Sequence, residues 1–431
     1  MYVTDTSLAT ILRMGVNVQT AQGNLYDRFK VGQILRGAVT AIADDEHVEL
    51  MLNGHKLVGQ TGLNLKTGDA VTVKVMDTDE GVILQLLAPE VSEGEAANSA
   101  QAFLRMVGLP GDKFNTQIVL LLASQRTEVS KKEVEVLRDL YEELVGSADG
   151  DIDNEQLNAL IVLYKHDLPM NRRTLALMKR YNQQAPDFGR HFSQFAELIN
   201  STGLPEGWSE RLKAFIARES KPGSRIPDTL ESLGLFLERQ LVRGAYNPEL
   251  DTLKKFLLEV INWLNANIVS DLSDAKRVQL QYHASELLHV IEYNQVLNTS
   301  PHGKDLLWIY LPVLFDGQWQ TVQLKLQRRN EEAANVSPEH YRYGVNLTMS
   351  ALGNVTAEGI VVHSGAQCTF RVRDEYGARI CEDHLDEFST ALSSAGIALH
   401  QARVILENDT VGDSIFDDAT RSFHKAVDRK V

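Results

Sequence analysis

The change of hydrophobic period between Ala351 and Leu406 is the feature that most constrains the fold. Val355, Ala357, Gly359 and Val361 lie on one alternating face, and after a tight turn Cys368, Phe370 and Val372 repeat the period of two. The period then becomes three and four, so that Ile380, Leu385, Phe388, Leu392 and Ala395 fall on one face of a helix. Gly396 follows directly, where a left-handed cap stops a helix. Ile397, Leu399, Val404 and Ile405 read as a closing strand. Such a stretch buries its apolar side by laying a helix on a sheet, so it predicts strand–strand–helix–strand, a compact α+β unit.

The same reading divides the rest of the 431 residues. Residues 1–30 are a weakly patterned lead-in, in which Leu8, Ile11, Leu12 and Met14 suggest a helical turn or two. Residues 31–88 hold five short alternating runs separated by turn signals at Asp44–Asp45, Asn53–Gly54, Lys66–Asp69 and Asp79–Gly81, which predicts a small β-barrel. Asn53–Gly54 is the signature of a type I′ hairpin. Residues 89–99 are an acidic linker.

Residues 100–300 are helical in pattern. Ser130 and Glu133 form a capping box, and a second helix follows Asp153. Leu-Pro pairs at Leu109, Leu168 and Leu204 each precede a helical pattern. Beyond Pro222, Gly223 and Pro227 come three stripes: Leu230 to Leu241, Leu250 to Ile268, and a helix from about Ser273 to Leu297, which together predict an antiparallel bundle. Residues 301–407 form the C-terminal α+β domain, enlarged by a hairpin around Asp316–Gly317 whose Pro312 places its first strand at an edge or a bulge. Residues 408–431 are an acidic tail. The predicted fold class is α+β multidomain: an N-terminal small β-barrel, an all-α middle and a C-terminal α+β domain.

Charge limits the function classes. The formal net charge is −15, which disfavours general binding to nucleic acid or an anionic membrane surface. The barrel segment has no Phe, Tyr or Trp, and its acids outnumber Arg36, Lys56, Lys66 and Lys74. Single-strand binding needs stacking platforms in a basic groove, so a structural or partner-docking barrel is expected there. Cys368 and Cys381 are expected to be free thiols. No apolar run is long enough to span a bilayer, and the first residues lack the pattern of a secretory signal.

No phosphate-binding loop, dinucleotide glycine fingerprint, H-E-x-x-H, nucleophile elbow or C-x-x-C pair is present. Asp149, Asp151 and Asp153 begin like a calcium loop, but Asn154 and Leu160 stand where glycine and a bidentate acid are needed. His283 and His289 are six apart, on different faces of a helix. Glu382, Asp383, Asp386 and Glu387 suit the early turns of a helix. No catalytic residue, cofactor or metal site is expected.

The order of Leu352, Gly353 and Val355 at the first strand, with Leu392, Gly396, Ile397 and Leu399 at the helix end, resembles the C-terminal domain of the flagellar hook-length control protein family. The likeness covers about the last quarter of the chain and is one of small-domain architecture. It implies a non-enzymatic interaction protein of the bacterial flagellar type III export system. In that family the C-terminal domain meets the cytoplasmic part of the export gate, and export preference changes from hook-type to filament-type substrates. Leu352, Gly353, Val355, Gly396 and Leu399 are the partner-binding candidates this implies. The expected location is cytoplasmic, with passage through the flagellar apparatus left open. Members of the family carry a long N-terminal half rich in Gln, Ser and Pro. This chain has only 11 prolines, and residues 31–300 read as folded. A cytoplasmic regulator or adaptor without a ruler function is therefore the alternative, with a nucleic-acid- or nucleotide-binding barrel as a third class.

Overall fold

The computed structural model describes residues 11–14, 30–43, 47–77, 82–87, 96–124, 129–147, 152–200, 204–219, 226–236, 251–266, 272–299, 306–315, 317–329, 340–349, 352–362 and 365–406. Leu8, the turns at Asp44–Asp45 and Asp79–Gly81, most of the acidic linker, Asp149 and Asp151, Pro222 and Gly223, Leu237 to Leu250, Ile268, Asp316 and the acidic tail lie outside them. The architecture is mixed α+β: a curled antiparallel sheet near the N-terminus, a helical middle and a C-terminal sheet. The chain divides into two compact units, residues 1–161 and 162–431.

In the first unit six strands close on themselves: β1 (Ile11–Met14), β2 (Ile34–Ile42), β3 (His47–Leu52), β4 (His55–Thr61), β5 (Ala70–Asp77) and β6 (Val82–Leu87). The five expected runs are β2 to β6. Ile11, Leu12 and Met14, expected in a helical turn, are instead in β1, which pairs with both β4 and β6 and closes the ring. The backbone groups on the facing edges of β4 and β6 need partners, and a four-residue strand supplies them. Leu35, Val39, Val48, Leu50, Leu52, Val73, Val75, Leu84 and Leu86 are all buried, as the alternating runs require. Asn53 and Gly54 have φ of 44° and 84°, the two positive angles a type I′ turn demands.

Helices α1 (Ala96–Met106), α2 (Lys113–Ser124), α3 (Lys131–Leu144) and α4 (Asn154–Lys165) follow, and the boundary between the units falls within α4. Arg105 of α1 holds the loop before β5 by a fork to Asp69 at 2.7 and 2.9 Å and by a bond to the Asn64 carbonyl at 3.2 Å. The Ser130–Glu133 capping box starts α3, and Asp153 Oδ1 accepts from the Glu155 and Gln156 amides at the start of α4.

The second unit begins with α5 (Arg172–Gln183), α6 (Phe188–Ile199), α7 (Trp208–Glu219), α8 (Ile226–Leu233), α9 (Leu253–Ala266) and α10 (Asp274–Leu297). The Leu230 stripe was expected to run on to Leu241, but α8 stops at Leu233 where Gly234 takes φ +82°. The remaining elements are β7 (Leu306–Phe315), β8 (Gln318–Arg329), β9 (His340–Met349), β10 (Gly353–Val362), β11 (Gly365–Val372), α11 (Glu375–Asp383), α12 (Leu385–Ser394) and β12 (Leu399–Leu406). The sheet order is β12-β11-β10-β9-β8-β7, antiparallel except for the parallel β11–β12 pair.

Helix α6 lies close on β8. A Cβ added to Gly189 would meet the Trp319 carbonyl oxygen at 2.5 Å, and the Phe192 ring packs edge-on against Trp319 at 4.7 Å. Helix α10 runs along the edge strand β7. Asn294 donates to the Tyr310 carbonyl and accepts from its N–H, both at 2.8 Å. Asn298 does the same for Trp308, at 2.6 and 2.9 Å. Pro312 thus sits in an edge strand, as expected.

Candidate functional site

The stretch with the family likeness builds one end of the sheet. Asp374 caps α11 by accepting from the Gly377 amide at 2.9 Å. Gly377 lets that helix approach β11, since a Cβ there would stand 3.3 Å from the Val372 Cβ. The helix expected as one piece is two, α11 and α12, because the chain turns at His384. His384 has φ −106° and ψ 7°, and its N–H still bonds the Cys381 carbonyl, so the helix axis is redirected without loss of that bond. The redirected α12 brings Phe388 edge-on to Phe370 at 5.1 Å. Gly396 has φ +81°, and the Ile397 amide reaches back to the Leu392 carbonyl at 2.9 Å, a left-handed cap.

Strand register sorts the two faces. Val355 opposes Val372 and Leu347, Ala357 opposes Phe370 and Val345, and Gly359 opposes Cys368 and Tyr343. This apolar face carries α12. Tyr343 reaches across Gly359 and donates to the Gln367 carbonyl at 3.2 Å. Burial, and then the neighbouring Cys368 thiol, push its hydroxyl well above the ordinary tyrosine range. Burial likewise raises the thiols of Cys368 and Cys381, both free.

The opposite face is polar. The Gln323 amide donates to the Tyr310 hydroxyl at 3.1 Å, and the Asn346 amide to Gln323 at 3.4 Å. The Thr356 hydroxyl donates to Asn346 at 3.4 Å. Arg371 donates to Glu358 at 2.5 Å and Arg403 to Thr369 at 2.9 Å. These bonds give the buried Gln323 and Glu358 side chains polar partners, while the Arg403–Thr369 bond lies at the exposed edge. Among the described residues no group of three or more His, Cys, Asp or Glu side chains could hold a metal ion.

The structure places the five partner-binding candidates at opposite ends of the strands β10 to β12. Leu352 and Gly353, the latter at φ +70°, form the turn into β10, and Val355 is 6% exposed in the core. Gly396 is exposed and Leu399 half-buried, where Leu399 opposes Ala366 and Ala366 opposes Val361. Val355 and Val361 are six residues apart on one strand, about 20 Å. The five therefore do not converge on one patch.

A different surface is apolar and exposed. At the tip of the β7–β8 hairpin, Val313, Leu314 and Phe315 are 39%, 37% and 50% exposed. Gly317 turns the chain there with φ +72°. The continuous apolar run LLWIYLPVLF signals β7 but not which of its residues stand clear of the sheet. Among the described residues, no helix is long and apolar enough to cross a membrane. Comparison with family models, with curated proteins and with solved structures gave no match to the chain.

Proposed function

We propose that this chain is a non-enzymatic interaction protein of the bacterial flagellar type III export system, related to hook-length control proteins, whose partner is the cytoplasmic domain of the export gate. In this reading the residues of the N-terminal sheet are a barrel module that docks or braces, the helices are a middle region, and the C-terminal α+β domain meets the gate in the cytoplasm. The observation that carries an interaction role is the hairpin tip, where three consecutive large apolar side chains face solvent. The succession β10–β11–α11–α12–β12, with glycine turns at Gly353 and Gly396, supports the family likeness.

One observation favours the adaptor reading within this proposal. Phe188, Phe192, Phe195, Leu257, Val260 and Leu287 are all buried, and helices so packed would have to unfold before passing a narrow channel. The full chain is therefore expected to stay in the cytoplasm.

The test is a pull-down of the full chain against the export-gate cytoplasmic domain of the same organism. The variant is Leu314→Asp with Phe315→Asp, both at exposed positions, with circular dichroism as the folding control. Saturable binding by the wild type and a loss of about tenfold or more in the folded variant, the size of one hot-spot contact, is the expected result. A folded wild-type chain that does not bind overturns the proposal. Secretion assays separate adaptor from exported protein.

A further inference from the structure

Away from the sheet, helices α5, α6 and α10 share a seam of ionisable groups. His191 of α6 and His283 of α10 face each other with Nδ1 to Nδ1 at 3.1 Å and ring centroids 5.3 Å apart. Tyr282 packs edge-on against both rings, at 5.6 and 5.1 Å. His191 is 5% exposed, and His283 is half-buried.

At that separation the two nitrogens need one proton between them. Two lone pairs would repel, and two N–H groups would collide as well as carry like charge. One Nδ1–H donating to the other Nδ1 is the arrangement that fits, and it requires at least one neutral ring.

We propose that His191 and His283 form a one-proton latch, which joins α6 to α10 near neutral pH and opens when both rings are protonated. The charged groups acting on the pair are Arg190 on α6, Asp187 at its N-cap and Glu286 on α10. Glu286 in turn is engaged by Arg180 of α5 and by His289, 3.7 Å away on its own helix. From β8, Thr321 contacts Asp187 at 3.5 Å. Burial disfavours the charged form of both rings, and Arg190 adds to this; Glu286 opposes it without reversing the direction. The second proton is thus taken up only as the pH falls below the ordinary histidine range. Helix α6 also seats on β8 through the Gly189 amide, which donates to the Thr321 hydroxyl at 2.9 Å. Opening the latch would loosen its other flank.

The experiment uses the full chain, with side-chain nitrogen NMR of the histidines and thermal melting between pH 7.5 and 5.5. One ring of the pair is expected as the Nδ1–H tautomer at pH 7.5, with coupled uptake of protons on acidification. The melting midpoint should fall over this range, and His283→Gln, which cannot take up the second proton, should lose about 2–4 °C of that fall. Two rings that are both Nε2–H tautomers and titrate independently overturn the latch. So does a His283→Gln chain with the wild-type pH dependence. Should that variant not fold, the tautomers and coupling in the wild type decide the matter alone.

Discussion

Gly359 shows how much one missing methyl group can matter. A Cβ built there would lie 1.8 Å from the Gln367 carbonyl oxygen and 3.1 Å from the Tyr343 hydroxyl. Gly359→Ala must therefore push β10 from β11 or displace Tyr343 from its bond to Gln367. We expect a loss of about 1–3 kcal/mol, the usual cost of overpacking, measured by urea denaturation of the full chain. Tyr343→Phe, which keeps the ring and removes the hydroxyl's contacts with the Gln367 carbonyl and the Cys368 thiol, should cost about 1 kcal/mol. The sequence shows Gly359 only as a poor strand residue on an apolar face, because the groups that exclude a side chain come from two other strands. Asn53–Gly54 is the opposite case. Its two positive φ angles are a local demand of the turn, and local demands are written in adjacent residues.

At the scale of elements, the edge strand β7 is closed by a helix. Asn294 on α10 and Asn298 at its C-cap are four residues apart, a rise of about 6 Å, and they serve Tyr310 and Trp308, two residues apart on β7, about 6.6 Å. The near match of the two repeats lets two amides replace a missing neighbour strand. Asn294 is fully buried, so Asn294→Leu leaves the Tyr310 N–H and C=O without partners. The expected cost is about 2–4 kcal/mol by denaturant unfolding, since each buried orphan costs on the order of 1–3 kcal/mol. Asn298 is half-buried, so water can take its place and Asn298→Ala should cost less. Light scattering should also show the Asn294 variant self-associating, because a freed strand edge is a template for pairing. Pro312 makes the edge position of β7 legible in the sequence. The asparagine pair is not, because a helical period says which residues share a face and not what that face meets. The same limit explains the broken helix at His384, whose apolar spacing runs on while the backbone turns. It also explains β1, whose four residues have too short a pattern to separate strand from helix.

For the whole molecule, pH provides a test that distinguishes the two units. All four tryptophans, Trp208, Trp263, Trp308 and Trp319, lie in residues 162–431, so their fluorescence reports on the second unit alone. That unit holds His166, His191 and His283, each pushed down from 6.5 first by burial. The unfolded chain then binds more protons than the native one below pH 6.5, so stability is full above that value and falls as the pH drops through it. Glu286 acts in a lower window. Burial alone would raise its carboxyl, but the His289 ring 3.7 Å away and the Arg180 guanidinium bring it from 4.5 down to about 2. Its contribution is complete above pH 4.5 and is lost as the pH falls toward 2. The formal charge of −15 works the other way in mild acid, by relieving self-repulsion. Melting in about 0.3 M salt screens that term and leaves the buried groups in view. At the alkaline end, Tyr181, Tyr293, Tyr310 and Tyr343 are all raised above 10, with burial the first cause for each. Here the unfolded chain gives up protons first, so stability is present below pH 10 and is lost as the pH rises above it. Tryptophan fluorescence should therefore show the second unit losing stability in acid below pH 6.5 and again above pH 10, with a plateau between. Tyr293 is 1% exposed between Tyr181 at 4.8 Å and Tyr310 at 5.9 Å, so Tyr293→Phe keeps the ring packing and removes one ionisable hydroxyl. It should shallow the alkaline limb by up to one proton's slope and leave the acid limb unchanged. An alkaline limb that Tyr293→Phe does not alter would place the loss of stability in other groups.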